Sequence, residues 1–497
     1  MSGGPAAASA RVTPERTLLA PGLEISRLVT GLWQVADMER GGTPLDPLRA
    51  AAAMSDYVAA GFDSFDMADH YGSAELITGH VLRGARPGAV RAFTKWCPPP
   101  GPMTAAMVRA GVQRSLDRMQ VPCIDLLQFH WWTFDHPGYL DAMVELARLR
   151  QEGLIAHIGL ANFDTAHLRL LLAEGIPVAC NQVCISLLDR RATGEMSQLC
   201  LERGVRLMAY GVLGGGFLSE RWVGAAEPAA VSDWSKMKYQ RFIHAVGGWE
   251  ALQAVLRATR EVGHKHGVSV SNVATRWVLE QAAVAAVIVG ARLGESEHRA
   301  DNLQVFGFAL DDEDKAGLEA AFAGTRRLPG DCGDEYRRPP FLTASGDLSH
   351  HLDALPALWP REPVPGHTDR WNISSGSVWE PLAGYSRAMR IGNRILVSGT
   401  TATHGGGQLV GRNDAAAQAT YILDKIEASI LSLGGRLEDV VRTRVYLSDA
   451  SDWQAVSAVH GRYFGTIRPA NTLLQVGALI GDGYRVEIEA EAVTARP

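Results

Sequence analysis

The sequence predicts a (β/α)8 barrel, or TIM barrel, followed by a small α+β domain. Between about residues 26 and 300, short apolar runs typical of β-strands alternate with helical patterns, as in βα units on a parallel sheet. Eight such runs fit a closed barrel in length and number. Beyond about residue 371 the pattern returns to alternation, which is typical of half-buried strands. A length of 497 residues also favours two domains over one.

The predicted barrel strands are apolar runs bounded by turn residues. They lie near Leu28–Gln34, Phe62–Ala68, Val90–Trp96, Ile124–His130, Ala156–Ala161, Pro177–Val183, Val205–Tyr210 and Ala286–Ala291. Helices are predicted between them, for example at Asp46–Ala60, Ala105–Met119 and Leu140–Gln151. The seventh connection, from Gly211 to about Gly248, is much longer and contains three consecutive glycines. We predict that it is a functional lid.

The domain boundaries follow from these changes of pattern. We expect a flexible N-terminus at 1–21, the barrel at 22–328, a proline-rich linker at 329–371 and the α+β domain at 372–497. The linker contains Arg338-Pro339-Pro340 and lacks periodicity. Within the last domain the predicted order is a strand at 390–399, a helix at 413–433, a strand at 440–447, a helix at 453–464 and a strand at 483–493.

Composition restricts the class of partner. Apolar residues make up 46% of the chain and charged residues 21%, the mix of a soluble globular protein with a large core. A net charge of −6 gives no broad basic field for nucleic acid or anionic membranes, so we expect a small-molecule partner. No apolar run reaches the roughly 18 to 20 residues of a spanning helix. The start of the chain lacks the basic and apolar regions of a signal peptide, and a cytoplasmic location is expected.

The cysteines do not predict a metal site. The six cysteines show no paired metal-ligand spacing, and we expect reduced, mostly buried thiols and no metal.

Four polar residues fall at or just beyond successive predicted strand ends. Asp66 ends the second strand, Tyr71 follows it by five residues, Lys95 ends the third strand and His130 ends the fourth. Barrels of this class carry their active sites at that rim. Reduction of a carbonyl group requires an acid beside the carbonyl oxygen, and a tyrosine can serve if a neighbouring cation lowers its pKa. Only six of the 48 basic residues are lysines, which supports a specific role for Lys95.

Residues 22 to 328 resemble the aldo-keto reductase family on these four residues, their order and their segments. The resemblance implies that Tyr71 is the proton donor, that Lys95 lowers its pKa, that Asp66 pairs with Lys95, and that His130 orients the carbonyl group. It implies a nicotinamide cofactor whose carboxamide contacts Asn162 and Gln182 and whose ring stacks on Tyr210. Where the family commonly has serine before that asparagine, this chain has Ala161.

The phosphate end of the cofactor is assigned from Val289-Gly290-Ala291-Arg292 and the residues after it. The family resemblance implies that Arg292, with Arg299 or His298 as a second contact, holds a 2′-phosphate, so we expect NADPH in preference to NADH. Leu293 stands where the family usually has Ser or Thr. The other residues assigned to the cofactor are Gly31, Gly211, Leu213, Gly215, Gly290 and Asn302.

Aromatic residues cluster at the predicted strand ends. Trp33, Trp96, Trp131 and Phe163 are the assigned substrate pocket, and Trp132 lies beside them. An apolar, aromatic-lined pocket favours a bulky or aromatic aldehyde or ketone over a charged sugar phosphate.

Residues 385 to 495 resemble the Rid family (YjgF/RidA-like), whose founding members hydrolyse reactive enamines and imines. The resemblance rests on Leu396-Val397-Ser398-Gly399, the strand at 440–447, Arg468-Pro469-Ala470 and Val486-Glu487. It implies a chorismate mutase-like α+β fold, a cleft with Ser398, Asn471 and Glu487, and trimers. The active subgroup has an arginine at position 471 that binds a carboxylate, and a neutral amide cannot make that bidentate, charge-assisted pair.

Three functions remain open at this point. The first is a carbonyl reductase with a Rid-like domain for oligomerisation or ligand binding. The second is a bifunctional enzyme whose Rid-like domain processes an imine or enamine. The third is a non-catalytic protein that senses NADP(H). The physiological substrate and the reaction direction are not fixed by the sequence.

Overall fold

The computed structural model describes residues 12–36, 40, 45–337 and 357–495. Eight parallel strands form a closed barrel in which each strand pairs with the next along the chain and the last pairs with the first. This confirms the predicted fold and all eight predicted strands. The barrel strands are β3 Leu28–Gly31, β4 Ser64–Asp66, β5 Arg91–Trp96, β6 Ile124–His130, β7 Ile155–Ala161, β8 Val178–Cys184, β9 Arg206–Tyr210 and β10 Val284–Gly290.

Helices surround the barrel and turn an apolar face toward it. The start of the first helix is fixed by local chemistry. The Asp46 carboxylate accepts hydrogen bonds from two backbone N–H groups of the first turn, and a proline follows Asp46 at the first helical position. The helices are α1 Pro47–Ala59, α2 Ala74–Gly84, α3 Ala105–Met119, α4 Tyr139–Gln151, α5 Thr165–Ala173, α6 Glu195–Arg203, α7 Trp234–Val246, α8 Trp249–His266, α9 Val270–Leu279, α10 Arg299–Gln304, α11 Asp312–Phe322 and α12 Asp334–Arg337.

The N-terminal prediction needs a correction where the structure describes it. Residues 16–20 are not flexible but form β1 (Arg16–Ala20), which pairs antiparallel with β2 (Leu23–Ser26). Leu19 and Ile25 of this hairpin are buried against apolar side chains of the barrel interior, which explains why the segment is ordered. The expected flexibility of residues 1–11 lies outside the described residues.

The seventh connection is more structured than the predicted loop. It contains α7, whose N-terminus is capped by the Asp233 carboxylate through the backbone N–H of Lys236. Lys238 and Tyr239 of this helix are buried. The connection therefore presents a helix face to the barrel rim.

The C-terminal unit is a seven-stranded mixed sheet covered by helices, as the α+β prediction required. The strand order is β11-β12-β13-β14-β19-β17-β18, and β17 and β18 are parallel. The small hairpin β15–β16 stands apart from this sheet. The elements are β11 Glu362–Pro363, β12 Arg370–Ile373, α13 Trp379–Ala383, β13 Ala388–Ile391, β14 Arg394–Thr401, β15 Thr403–His404, β16 Gln408–Leu409, α14 Ala415–Ser432, β17 Val440–Leu447, α15 Trp453–Phe464, β18 Ala470–Gln475 and β19 Val486–Val493.

Both ends of the predicted linker belong to folded structure, which corrects its boundaries. Residues 328–337 pack on the barrel and include α12, and residues 362–363 and 370–373 are strands of the second sheet. Leu328 and Cys332 are buried in the apolar cluster that also contains the barrel residues. The interpretation of Arg338-Pro339-Pro340 as linker lies outside the described residues.

The two units share a buried contact. Buried apolar side chains of α5 and α14 belong to one cluster that extends through both units. Within this contact Tyr139 Oη donates a hydrogen bond of 2.7 Å to Asp424 Oδ2. In the part of the chain that is described, no helix has both the length and the apolar composition required to cross a membrane.

Candidate active site

Asp66 and Lys95 form a buried ion pair at the carboxyl ends of β4 and β5. Lys95 Nζ lies 2.5 Å from Asp66 Oδ2 and donates to the backbone oxygen of Met67 at 2.9 Å. The other carboxylate oxygen of Asp66 accepts from Gln128 Nε2 at 2.8 Å and from Gln182 Nε2 at 2.7 Å. These bonds compensate the loss of hydration of the buried Asp66 carboxylate, and they fix the position of the Lys95 ammonium group.

Tyr71 follows β4 and places its ring beside this ammonium group. Lys95 Nζ lies 5.2 Å from the centroid of the Tyr71 ring. The ring also packs edge to face against Trp33 and His70, with centroids 4.9 Å apart in both cases. The ammonium group is thus close enough to stabilise negative charge on the Tyr71 side chain by Coulomb attraction.

His130 ends β6 and is neutral. Its Nδ1 lies 3.0 Å from the backbone oxygen of Ala161, and its Nε2 has no hydrogen-bond partner among the described residues. Burial, and after it the charge of Arg337, holds the pKa of His130 well below 6.5. Because a bond to a carbonyl oxygen requires a proton on Nδ1, Nε2 carries a lone pair and is a hydrogen-bond acceptor.

These residues meet in one cavity of about 820 Å³ at the carboxyl rim of the barrel. The four predicted catalytic residues all line it, as do ten of the eleven predicted cofactor residues. The ten are Gly31, Asn162, Gln182, Tyr210, Gly211, Leu213, Gly215, Gly290, Arg292 and Asn302. Fourteen of the fifteen residues predicted for catalysis and cofactor binding therefore meet in one cavity.

Two amides and a phenol line the deep end of the cavity. Asn162 adopts a left-handed φ of 59°, which asparagine tolerates better than most residues. Tyr210 Oη donates to Asn162 Oδ1 at 2.8 Å, and Gln182 is bound to Asp66 and Gln128. Both predicted carboxamide contacts are thus in the cavity and engaged with protein groups.

The outer end carries cations, and one residue assigned to the cofactor lies apart from it. Arg292 lines the cavity and its Nη2 lies 2.9 Å from Asp233 Oδ2. His298 also lines the cavity, but Arg299 does not. The Arg299 guanidinium instead pairs with Glu297, just before α10, and its Nε lies 2.7 Å from Glu297 Oε1.

Three glycines between these ends allow neighbouring side chains to approach the backbone closely. A Cβ on Gly290 would lie 2.3 Å from Gln34 Oε1, and one on Gly211 would lie 2.1 Å from Tyr239 Oη. A Cβ on Gly31 would lie 2.8 Å from the side chain of Ile288. With amides at one end and a guanidinium and an imidazole at the other, the lining fits a dinucleotide that has a carboxamide and phosphate groups.

The predicted substrate pocket needs correction. Trp33 lines the cavity, but Trp96, Trp131 and Phe163 do not; all three are buried in the apolar cluster outside it. Successive side chains of a strand point to opposite faces, so Trp96 points away from the cavity that Lys95 faces, and Trp131 points away from the one that His130 faces. The same alternation, counted from Lys95 and His130, would have excluded both tryptophans.

The residues that replace them are Trp132 and Tyr336, with Lys238 beside them. Trp132 and Tyr336 line the cavity and pack against the His130 ring, at centroid distances of 4.3 and 5.6 Å. Lys238 Nζ lies 2.5 Å from Tyr336 Oη. The rarity of lysine that drew attention to Lys95 applies equally to Lys238, whereas nothing in the sequence places Tyr336 near the barrel.

A possible cation-binding group lies at the rim. Asp69, His70 and Cys97 hold potential ligand atoms within 4.8 Å of one another. Burial, and then the charge of Asp69, raises the pKa of the Cys97 thiol well above its usual range, which disfavours the thiolate that metals bind. We therefore assign no metal to it.

The three residues predicted for a second cleft lie on separate strands. Glu487 on β19 is next to β14, where a Cβ on Gly399 would meet its Oε1 at 2.1 Å. Ser398 Oγ donates to the backbone oxygen of Ser386. Asn471 is on β18, two strands from β19, and donates to Thr443 Oγ1 at 3.0 Å. Within one chain Asn471 therefore does not join the other two.

A sequence model described as the Aldo/keto reductase family matches residues 27–322, which is more than half of the chain. The chain belongs to the aldo/keto reductase family. It is an oxidoreductase by that membership, and a second model, described as Endoribonuclease L-PSP, matches residues 376–494. The C-terminal unit is thus a Rid-family domain fused to the reductase barrel.

Individual proteins match one part of this fusion. Flagellar radial spoke protein 5 of Chlamydomonas reinhardtii is 28% identical over 39% of this chain, which spans only 44% of that protein. An uncharacterized protein of Streptomyces coelicolor is 38% identical over 24% of this chain and 89% of its own length. The solved glycerol dehydrogenase of Gluconobacter oxydans is 24% identical, with a TM-score of 0.51 over 65% of this chain and 98% of that one. The last match shows the barrel fold.

Proposed function

We propose that the barrel reduces an aldehyde or ketone to an alcohol, or catalyses the reverse reaction, with NADPH as hydride donor and Tyr71 as proton donor. One observation carries the proposal: the Lys95 ammonium lies 2.5 Å from Asp66 and 5.2 Å from the Tyr71 ring in the cavity that His130 also lines. Carbonyl reduction requires an acid beside the carbonyl oxygen, and a neighbouring cation makes a tyrosine a stronger acid.

The chain's own residues divide the proton chemistry. Tyr71 donates its phenolic proton to the carbonyl oxygen, and Lys95 stabilises the phenolate that is left. Asp66 holds Lys95 in place. His130 Nε2, as an acceptor, binds a hydroxyl proton in the cavity, so its role is to orient Tyr71 or the alcohol rather than to donate to the carbonyl group.

The cofactor, when bound, supplies the hydride. Asn162, Gln182 and Tyr210 would hold its nicotinamide end, and Arg292 with His298 would hold the phosphate end. The guanidinium of Arg292 supports a preference for NADPH over NADH, since it can form charge-assisted bonds to a 2′-phosphate.

The substrate pocket supports a bulky or aromatic carbonyl compound. Trp33, Tyr71, Trp132 and Tyr336 present aromatic surface around the catalytic groups. Such surface binds apolar or aromatic groups by area and ring contacts.

The Rid-like domain has features of an assembly module. Leu474 on the edge strand β18 is 41% exposed, and Ile480 is 82% exposed. An uncovered edge with apolar side chains is suited to pairing with another copy. We expect a trimer that binds a neutral ligand at most, and a monomer in analytical sedimentation at micromolar concentration would overturn the assembly role.

The test of the reductase is NADPH absorbance with a panel of aldehydes and ketones. Tyr71→Phe and Lys95→Met are expected to lower kcat by about a hundredfold or more. Lys315→Met, on the surface helix α11, is the matched control and should be unaffected. Equal turnover by parent and Tyr71→Phe would disprove the assigned proton donor. Tight NADPH binding with no turnover on any substrate would favour a sensor.

A further inference from the structure

The segment that follows the barrel, residues 328–337, contributes to the reductase cavity. Tyr336 lies over His130 and Trp132, with ring centroids 5.6 and 5.9 Å away. Its hydroxyl group is held by Lys238 Nζ at 2.5 Å, and the hydroxyl of Tyr210 lies 3.3 Å from it. This post-barrel segment therefore forms one wall of the pocket next to the catalytic histidine.

Arg337 fastens the post-barrel segment to the ends of two barrel strands. Its Nη1 donates to the backbone oxygen of Asn162 at 2.6 Å, and its Nη2 donates to that of Trp131 at 2.5 Å. Gly333 allows this approach, because a Cβ there would lie 2.1 Å from the Asn162 oxygen and its φ is +82°. The segment is thus in direct contact with the loop that carries a predicted cofactor residue.

The second attachment comes from the Rid-like domain. Arg462 on α15 donates from Nη1 to Asp331 Oδ2 at 3.0 Å, and its Nη2 lies 2.6 Å from Asp164 Oδ2. Asp334 Oδ1 lies 3.6 Å from the same Nη2. Asp331 and Asp334 belong to the post-barrel segment, and Asp164 follows β7. One guanidinium therefore joins the appended domain, the segment and the barrel rim.

The charges in this junction are mutually dependent. Burial disfavours the charged guanidinium, but the carboxylates of Asp164, Asp334 and Asp331 outweigh burial and raise the pKa of Arg462. Removal of the Arg462 cation would leave three carboxylates close together without a compensating charge, which destabilises a buried site. Lysine would retain the charge but not the planar fork that reaches several carboxylates at once.

We propose that Arg462 is a positioning residue of the reductase: it holds the post-barrel segment so that Tyr336 closes the pocket over His130. The appended Rid-like domain is then a working part of substrate selection in the barrel, and not only an assembly module. This inference rests on the proposed function, because selection is measured as carbonyl reduction.

The kinetic test is a double-mutant cycle in the full chain. We expect Tyr336→Ala to lower the ratio of kcat/KM for a bulky aromatic aldehyde to that for a small aldehyde by about tenfold, equivalent to about 1.4 kcal/mol, because the aromatic surface that Tyr336 presents to the larger substrate is lost. Arg462→Gln should change the ratio in the same direction. The double variant should have the same kcat/KM ratio as Tyr336→Ala, because Arg462 is proposed to act only through the placement of Tyr336. Additive effects, or an unchanged ratio in a folded Arg462→Gln, would overturn the proposal.

The control is another ion pair between the two units. Arg169 Nη1 lies 3.4 Å from Asp414 Oδ2, which is outside the post-barrel segment. Arg169→Gln should leave the ratio unchanged. If Arg462→Gln fails to fold, Arg462→Lys and Asp331→Asn take its place, since both preserve part of the junction.

A second readout does not need activity. Amide hydrogen exchange of the peptide that covers residues 328–337 should become faster in Arg462→Gln and stay as in the parent in Arg169→Gln. Faster exchange in a protein without reductase turnover would mean that the proposed function is wrong but that the positioning is right. Unchanged exchange would overturn the positioning, whatever the activity.

Discussion

His167 Nε2 of the barrel lies 3.1 Å from Asp424 Oδ2 of the Rid-like domain, in the buried contact between them. The other ring nitrogen, Nδ1, lies 2.8 Å from Asp164 Oδ1, so the imidazole stands between two carboxylates. Asp424 also accepts from Tyr139 and Tyr463. A proton on each nitrogen would satisfy both acidic neighbours, so the contact between the fused domains favours the charged imidazole.

This histidine predicts a stability that decreases with pH. Burial opposes the charge of His167, but Asp164 and Asp424 raise its pKa above 6.5. A raised folded pKa gives stability that is fully present below about pH 6.5, the unfolded value, and is lost as pH rises through the folded value. The melting temperature of the parent should therefore exceed that of His167→Gln most at pH 6, and the difference should shrink toward pH 9 in calorimetry.

An exposed histidine is the control for that measurement. His244 pairs with Glu227 and is 55% exposed, so its substitution by glutamine should lower the free energy of unfolding by at most about 0.5 kcal/mol. A difference for His167→Gln that stays constant or grows with pH would contradict the assigned protonation.

Lys425 on α14 predicts the opposite pH dependence. Burial, and then the charge of Arg387, lowers the pKa of Lys425 from 10.5 to about 7, and its Nζ donates to the Thr403 oxygen at 2.7 Å. Between about pH 7 and pH 10.5, the folded and unfolded pKa values of Lys425, the folded state binds fewer protons than the unfolded state. The free energy of unfolding therefore rises with pH in that range. The melting temperature of the parent relative to Lys425→Met should increase from pH 7 to 10. A flat or falling difference, with Lys315→Met as the surface control, would show that the ammonium is not desolvated.

His130 predicts a spectroscopic signature. Since its pKa lies well below 6.5 and Nδ1 faces the Ala161 oxygen, nitrogen NMR of the imidazole should show the neutral Nδ1–H tautomer from pH 6.5 to 8. The pH profile of kcat/KM should accordingly lack an ionisation from His130. A titration of this ring within that range, absent from His130→Gln, would contradict the neutral assignment and restore a donor role.

The barrel and most of its catalytic and cofactor candidates were predictable because strand ends are local in the sequence. Asp66, Lys95 and His130 each end an apolar run, and the closed topology brings such ends together. The wall made by Tyr336 was not predictable, since Lys238 is 98 positions away from it. Arg462 is 131 positions from Asp331, and no local pattern encodes that contact. Long-range polar contacts depend on how the two units pack, which periodicity does not report.

Arg292 and Arg299 form a matched pair for the cofactor assignment. Arg292 lines the cavity, whereas Arg299 pairs with Glu297 and lies with its guanidinium carbon 5.4 Å from the centroid of the Tyr57 ring. Charge-assisted bonds to a phosphate are worth about 1.5 to 3 kcal/mol. Arg292→Ser should therefore raise KM for NADPH by about tenfold or more and leave KM for NADH nearly unchanged. Arg299→Ser should change neither. An equal rise for both cofactors in Arg292→Ser would show that this residue holds a part common to the two, and an effect of Arg299→Ser on NADPH alone would assign the 2′-phosphate to α10 instead.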